Sequence, residues 1–248
     1  MTVPESSSAA VSAMPRIGDP APRFTAATTQ GPIDFPGDYA GKWVIFFSHP
    51  ADFTPVCTSE FVEFAALQDR FRQYNTELVG LSVDGLYSHI AWLRTIEEKI
   101  TFHGHDHVRV RFPLVEDVTM TIARRYGMIM PGEDSTKAVR AVFVIDPAGI
   151  VRAVIYYPLS TGRNFDELLR LMQSLQTADA FGVATPADWR PGDPVIVPTA
   201  GSCGVAAERM AGREADVECQ DWFFCTRSIS AQEVDQAIRS DHAAAAGS

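Results

Sequence analysis

Two short, almost unbroken apolar runs constrain this chain most: Trp43 to Phe47 in "KWVIFFSHP" and Leu78 to Val83 in "ELVGLSVDG". Runs of that length read as strands covered on both faces. Between them Phe61, Phe64, Leu67, Phe71 and Tyr74 recur at helical spacing. Strand, helix, strand in that order predicts a right-handed parallel crossover, and with it a sheet carrying helices on its faces.

The pattern continues downstream. Tyr87 to Ile100 predicts a helix with Ile90, Leu93, Ile96 and Ile100 as its inner stripe, followed by a short helix over Thr119 to Tyr126. "VRAVFVID" and "IVRAVIYYP" are β-branched strands separated by a tight turn at Pro147 to Gly149. Phe165, Leu168, Leu169, Met172 and Leu175 mark a further covering helix. The expected class is α/β: a central mixed sheet flanked by helices, with an antiparallel hairpin at one edge.

Three segments are expected: a flexible N-terminus over residues 1–14, a main domain over 15–177, and a C-terminal arm or small dimerisation domain over 178–248 with a frayed end. In the arm, prolines and glycines crowd together and long periodicity fades. "CQDWFFC" sets Trp222, Phe223 and Phe224 in a row, so an intrachain groove or a second subunit should cover them. Ser230 and Glu233 have the spacing of a capping box, with Val234, Ala237 and Ile238 behind them.

A chain of 248 residues buries a substantial core. Its formal net charge of -10 gives no basic field for nucleic acid. No apolar run has membrane-spanning length, and the start lacks a basic leader, so a cytoplasmic location without membrane or nucleic-acid partners is expected. The four cysteines, Cys57, Cys203, Cys219 and Cys225, are too sparse for a disulfide-built fold and are not spaced for zinc. "FHGHDH", with His103, His105 and His107, reads more simply as a polar loop than as a metal site.

"HPADFTPVCTSEF" carries the chemistry. With Thr54 at the N-cap, Pro55 falls at N1 and Cys57 at N3, and the Thr54 hydroxyl is expected to accept from the Cys57 amide. The sulfur then lies beside unpaired N–H groups at the positive end of a helix, which favours thiolate over thiol. An ordinary cysteine is only about 3% ionised at pH 7. The same register sets Cys57 one turn before Phe61 on the inner stripe, at the foot of a pocket. Position alone leaves inert packing open.

The segment "FFSHPADFTPVCTSEF" resembles the active-site segment of the peroxiredoxins, whose P-x-x-x-T/S-x-x-C signature is met by Pro50, Thr54 and Cys57. "SHP", "VRAVFVIDPAG", "YYPLSTGRNFDE" and "TPADWRPGD" are similar to the 1-Cys, or peroxiredoxin-6-type, branch, and the likeness runs from about Pro15 to Arg227. It implies a thioredoxin-like fold and a cofactor-free, metal-free peroxidase acting on hydrogen peroxide and organic hydroperoxides. By resemblance Cys57 is the peroxidatic cysteine and Thr54 its hydroxyl partner, Pro50 shields the pocket, and Arg140 and Arg163 are the arginines. His49 and Glu60 organise its hydrogen bonds.

"CQDWFFC" departs from a simple one-cysteine pattern and resembles archaeal-type members. That likeness implies that Cys225 resolves the oxidised Cys57 across a homodimer and that Cys219 exchanges with Cys225. A thioredoxin- or glutaredoxin-like protein is the implied reductant, and a decameric or other ring a possible assembly. Cys203, in "TAGSCGVA", matches no role and is left as an alternative to Cys225 as resolver. In "GDYAG" Tyr39 occupies the serine position of the G-x-S-x-G phospholipase site found in some relatives, so that activity is not expected. The rival readings are a one-cysteine peroxidase served by an outside thiol and an oligomeric chaperone or scaffold. A thiol-disulfide oxidoreductase is weaker, because Cys57 lacks a C-x-x-C partner.

Overall fold

The computed structural model describes residues 14–212 and 216–245. The N-terminal stretch expected to be loose lies, apart from Met14, outside the described residues, as does the frayed end beyond residue 245. A small hairpin comes first, β1 (Phe24–Ala26) with β2 (Ile33–Phe35). The two apolar runs are β3 (Trp43–Ser48) and β4 (Thr76–Ser82), parallel to each other and joined through α1 (Pro55–Gln73). α2 (Leu86–Lys99) leads to a third parallel strand, β5 (Leu114–Glu116), and to the short α3 (Thr121–Arg125). β6 (Arg140–Ile145) lies antiparallel to β3 and returns as β7 (Val151–Tyr157). The strand order β5-β4-β3-β6-β7 is the expected mixed sheet with an edge hairpin.

Side chains alternate across this sheet, so each strand feeds two cores. In β3, Trp43, Ile45 and Phe47 join the core under α1, while Val44 and Phe46 join the one on the opposite face. Gly80 in β4 sits beside Phe47, where a Cβ would come within 3.1 Å of the Phe47 ring. The lack of a side chain there lets Phe47 stack on Phe64 of α1 with centroids 4.0 Å apart.

One stripe is rotated from expectation. α2 buries His89, Trp92 and Ile96, while Ile90 is 41% exposed. The large Trp92 ring packs on Phe61 of α1, centroids 4.6 Å apart, and turns the helix inward along that line.

α4 (Phe165–Phe181) continues past Thr177 and ends at Gly182, whose φ of +62° serves as a left-handed C-cap. The division expected at residue 177 therefore falls inside a helix. The arm then forms β8 (Val195–Ile196), α5 (Cys203–Met210), β9 (Glu218–Asp221), β10 (Phe224–Arg227) and α6 (Ala231–Ala245). Its strands make a separate three-stranded sheet, β8-β10-β9. Trp189, Val195, Ile229, Val234 and Ile238 of the arm enter the same core as Trp43 and Met172. The capping box forms as expected: Glu233 N–H donates to Ser230 Oγ (3.2 Å) and Ser230 N–H to Glu233 Oε2 (2.8 Å). Trp222, Phe223 and Phe224 stay 45%, 53% and 41% exposed, so no groove among the described residues covers them. Among the described residues, no helix is long and apolar enough to cross a membrane.

Candidate active site

α1 begins where its sequence dictates. Thr54 is the N-cap with extended backbone (φ -104°), Pro55 opens the helix and Cys57 falls in its first turn, fully buried. The Thr54 hydroxyl departs from expectation: it donates to the Ala51 carbonyl at 2.8 Å and makes no side-chain cap. A nearby backbone acceptor outcompetes the helix amide, a common choice for threonine. Cys57 also has no exposed surface, so the sulfur is covered rather than lying at the foot of an open pocket. Cavities of about 360 Å³, lined by Phe53, Thr54 and Trp92 among others, and about 550 Å³, lined by Glu60 and Arg163 among others, lie near it.

The strand period brings Arg140 to the sulfur. Arg140, Val142 and Val144 share the β6 face that α1 covers. Arg140 Nη1 donates to Cys57 Sγ at 3.3 Å and to Glu60 Oε2 at 2.8 Å. Its Nε and Nη2 both donate to the Leu159 carbonyl, at 3.2 and 2.9 Å, which fixes the guanidinium plane.

Glu60 lies one turn after Cys57 on the same inner face. Its Oε2 also accepts from Arg163 Nη1 (2.8 Å) and its Oε1 from the Arg163 backbone N–H (2.9 Å). Arg163 Nη2 donates to the Ser48 and Ala141 carbonyls, and the guanidinium lies over the Phe47 ring. Burial pulls the Arg163 guanidinium below its ordinary value, and Glu60 opposes that pull. The buried set thus holds two guanidiniums against one carboxylate. A Cys57 thiolate brings the sum to zero, and buried charge is tolerated only when balanced in this way.

His49 and Pro50 are buried at the end of β3. His49 Nε2 meets Asp52 Oδ1 at 2.9 Å, and His89 Nδ1 of α2 meets Asp52 Oδ2 at 2.8 Å. Neither Asp52 nor His89 was singled out in the sequence. Asp52 was visible three residues after His49, and His89 would have followed from reading the α2 stripe through Trp92 and Ile96. His49, Asp52 and Asp84 have donor atoms within 4.8 Å of one another. Hydrogen bonds already occupy that group: Asp52 holds two imidazoles, and Asp84 accepts from the Asp52 N–H and the Ser82 hydroxyl.

The remaining cysteines lie on the arm. Cys219 of β9 and Cys225 of β10 form a disulfide, while Cys57 and the exposed Cys203 are free. Cys225 is buried.

The AhpC/TSA family matches residues 17–154, and the C-terminal domain of 1-Cys peroxiredoxin matches residues 174–202. A peroxiredoxin from Methanosarcina mazei is 55% identical over 214 residues, 86% of this chain and 98% of the relative. The chain belongs to the peroxiredoxin family. Two solved peroxiredoxins carry the same thioredoxin-like fold. A yeast mitochondrial 1-Cys peroxiredoxin, studied for thiol resolution through glutathione/thioredoxin systems, has a TM-score of 0.75 at 37% identity and covers 87% of this chain and 100% of its own. A mutant of peroxiredoxin 6 from Arenicola marina has a TM-score of 0.74 at 32% identity and covers 86% and 98%. This peroxiredoxin is a thiol-dependent peroxidase.

Proposed function

We infer that Cys57 is the nucleophile of this peroxidase, acting on hydrogen peroxide and organic hydroperoxides. The observation that carries the reading is the contact of Arg140 with both the Cys57 sulfur and Glu60 in a buried group whose charges balance only with a thiolate. The thiolate attacks the distal peroxide oxygen, the S–O bond forms as O–O breaks, and the departing oxygen takes a proton to leave as water or alcohol. Arg140 donates to the sulfur and to the charge growing on the leaving oxygen. The Thr54 hydroxyl, donating to Ala51, keeps its lone pairs to accept from the peroxide O–H. Pro50, Glu60, Arg163 and His49 shape and hold the pocket.

The Cys57 sulfenic acid is then attacked by the Cys225 thiolate of a partner subunit: S–S forms as S–O breaks, and the departing hydroxide takes a proton to leave as water. Cys219 next attacks Cys225, freeing Cys57. The Cys219–Cys225 bond beside a free Cys57 supports this order, since it is the bond that such an exchange would leave. A thioredoxin- or glutaredoxin-like dithiol would reduce the arm. Cys225 is buried, so the arm has to open before it can meet the required geometry of about 7 Å between Cα atoms. The reading includes a homodimer or a larger ring.

The match to the C-terminal domain of 1-Cys peroxiredoxin favours one alternative, a Cys57 sulfenate reduced directly by an outside thiol. Non-reducing peptide mapping after one equivalent of peroxide separates the two. A Cys57–Cys225 bridge between subunits, or its successor on the arm, is expected; a persistent Cys57 sulfenate means the one-cysteine cycle. Cys57→Ser is expected to abolish rapid turnover, and wild-type rates in that variant would remove Cys57 from the chemistry.

A further inference from the structure

The loop that carries Pro50 and Thr54 is pinned from inside by Asp52 and His89, which the peroxidase mechanism does not use. Asp52 lies at its centre with its carboxylate almost wholly buried, and the His49 and His89 side chains have no exposed surface. Each carboxylate oxygen takes one imidazole nitrogen, at 2.9 Å from His49 Nε2 and 2.8 Å from His89 Nδ1. The Asp52 backbone N–H donates to Asp84 Oδ2 at 2.9 Å. One residue therefore joins the end of β3, the end of β4 and the first turn of α2.

Counting donors and acceptors assigns the protons. The second nitrogen of His89, Nε2, faces the Val115 carbonyl of β5 at 3.2 Å. A carbonyl oxygen only accepts, and so does an ionised carboxylate. Facing acceptors on both sides, His89 satisfies both only with a proton on each nitrogen. His49 differs: its Nε2 faces the carboxylate, while its Nδ1 is buried without a partner. A proton on that buried Nδ1 would have no acceptor, so His49 is the neutral member. Burial, opposed by Asp52 and reinforced by His89, also pushes the His49 imidazolium below the ordinary histidine range.

We propose that Asp52 and His89 are positioning residues of this peroxidase: a buried carboxylate–imidazolium pair that locks neutral His49 in its Nε2–H tautomer and holds the Pro50–Thr54 loop over Cys57. The pair ties the shape of the peroxide pocket to α2, an element that supplies none of the Arg140–Glu60–Arg163 set. The catalytic half of this statement rests on Cys57 being the nucleophile; the proton assignment does not.

The proton assignment is tested on the ¹⁵N-labelled wild-type chain by long-range ¹H–¹⁵N correlation of the imidazoles at neutral pH, with His89→Gln and His49→Gln assigning the signals. His89 is expected with both nitrogens protonated and His49 with Nε2 alone. The same spectrum of Cys57→Ser should be unchanged while its turnover is lost, which separates failure of this proposal from failure of the nucleophile assignment. Asp52→Asn keeps the shape but cannot accept from both rings; it and His89→Gln are expected to slow Cys57 oxidation by peroxide at least tenfold, with the His49 signals altered. A neutral His89 in the wild type overturns the proposal even if a variant fails to fold. So do wild-type oxidation rates with unchanged His49 signals in both variants.

Discussion

Arg140 does three things through one planar group: it touches the sulfur, balances Glu60 and anchors on the Leu159 carbonyl. A lysine keeps the charge but is a point donor on a flexible stem and cannot hold all three at once. Arg140→Lys is therefore expected to lower the rate constant of Cys57 oxidation by about 10²–10³, the usual scale for losing one preorganised donor, measured by stopped-flow fluorescence or competition. His49 gives a pH prediction. Burial lowers its folded-state pKa, so the unfolded chain takes up the proton first as pH falls through about 6.5. Its contribution to stability is complete above that pH and is lost below it, by at most about 1.4 kcal/mol per pH unit. Urea midpoints between pH 7.5 and 5 should fall accordingly, and less steeply in His49→Gln. Burial alone would raise the Asp52 carboxyl, but hydrogen bonds from His49 and His89 outweigh it and hold it below the carboxylate range, so its contribution persists above about pH 4 and is lost only at stronger acid. At this scale Pro50, Thr54 and Cys57 were legible because they share one short stretch with a fixed register. The bond from Arg140 to Glu60 spans 80 positions and had no local signature; only family resemblance linked those residues.

Elements were legible in proportion to their length. β3, α1, β4, the β6–β7 hairpin and α4 carry enough turns or alternations to show a period, and each appears where expected. β1, β2 and β5 have three residues each and β8 two, too few to display any period. The rotated α2 shows the other limit: isoleucine spacing suggested one stripe, and the bulk of Trp92 selected its neighbour. α6 was read from its cap, and that cap has a measurable consequence. Ser230→Ala removes the acceptor of the Glu233 N–H and should cost about 0.5–2 kcal/mol. A melting temperature lower by a few degrees is expected, with faster amide exchange in the first turn of α6, which holds Val234 in the common core.

For the whole molecule, the unexplained surface is the aromatic tip Trp222-Phe223-Phe224, which the other described residues leave uncovered. If a second subunit buries it, Trp222→Glu should shift the assembly toward smaller species in analytical ultracentrifugation while the circular dichroism spectrum is retained. The closed Cys219–Cys225 bond has another consequence, one of stoichiometry. When it forms by exchange it stores two oxidising equivalents on the arm and returns Cys57 free. Without reductant, a protomer should then consume two peroxides in a burst: the first recorded as the arm disulfide, the second as a sulfenic acid with no resolving thiol at Cys225. Cys219→Ser should cut the burst to one. The arm is thus a one-turn memory, and the second peroxide in the sequence puts Cys57 at risk of irreversible oxidation.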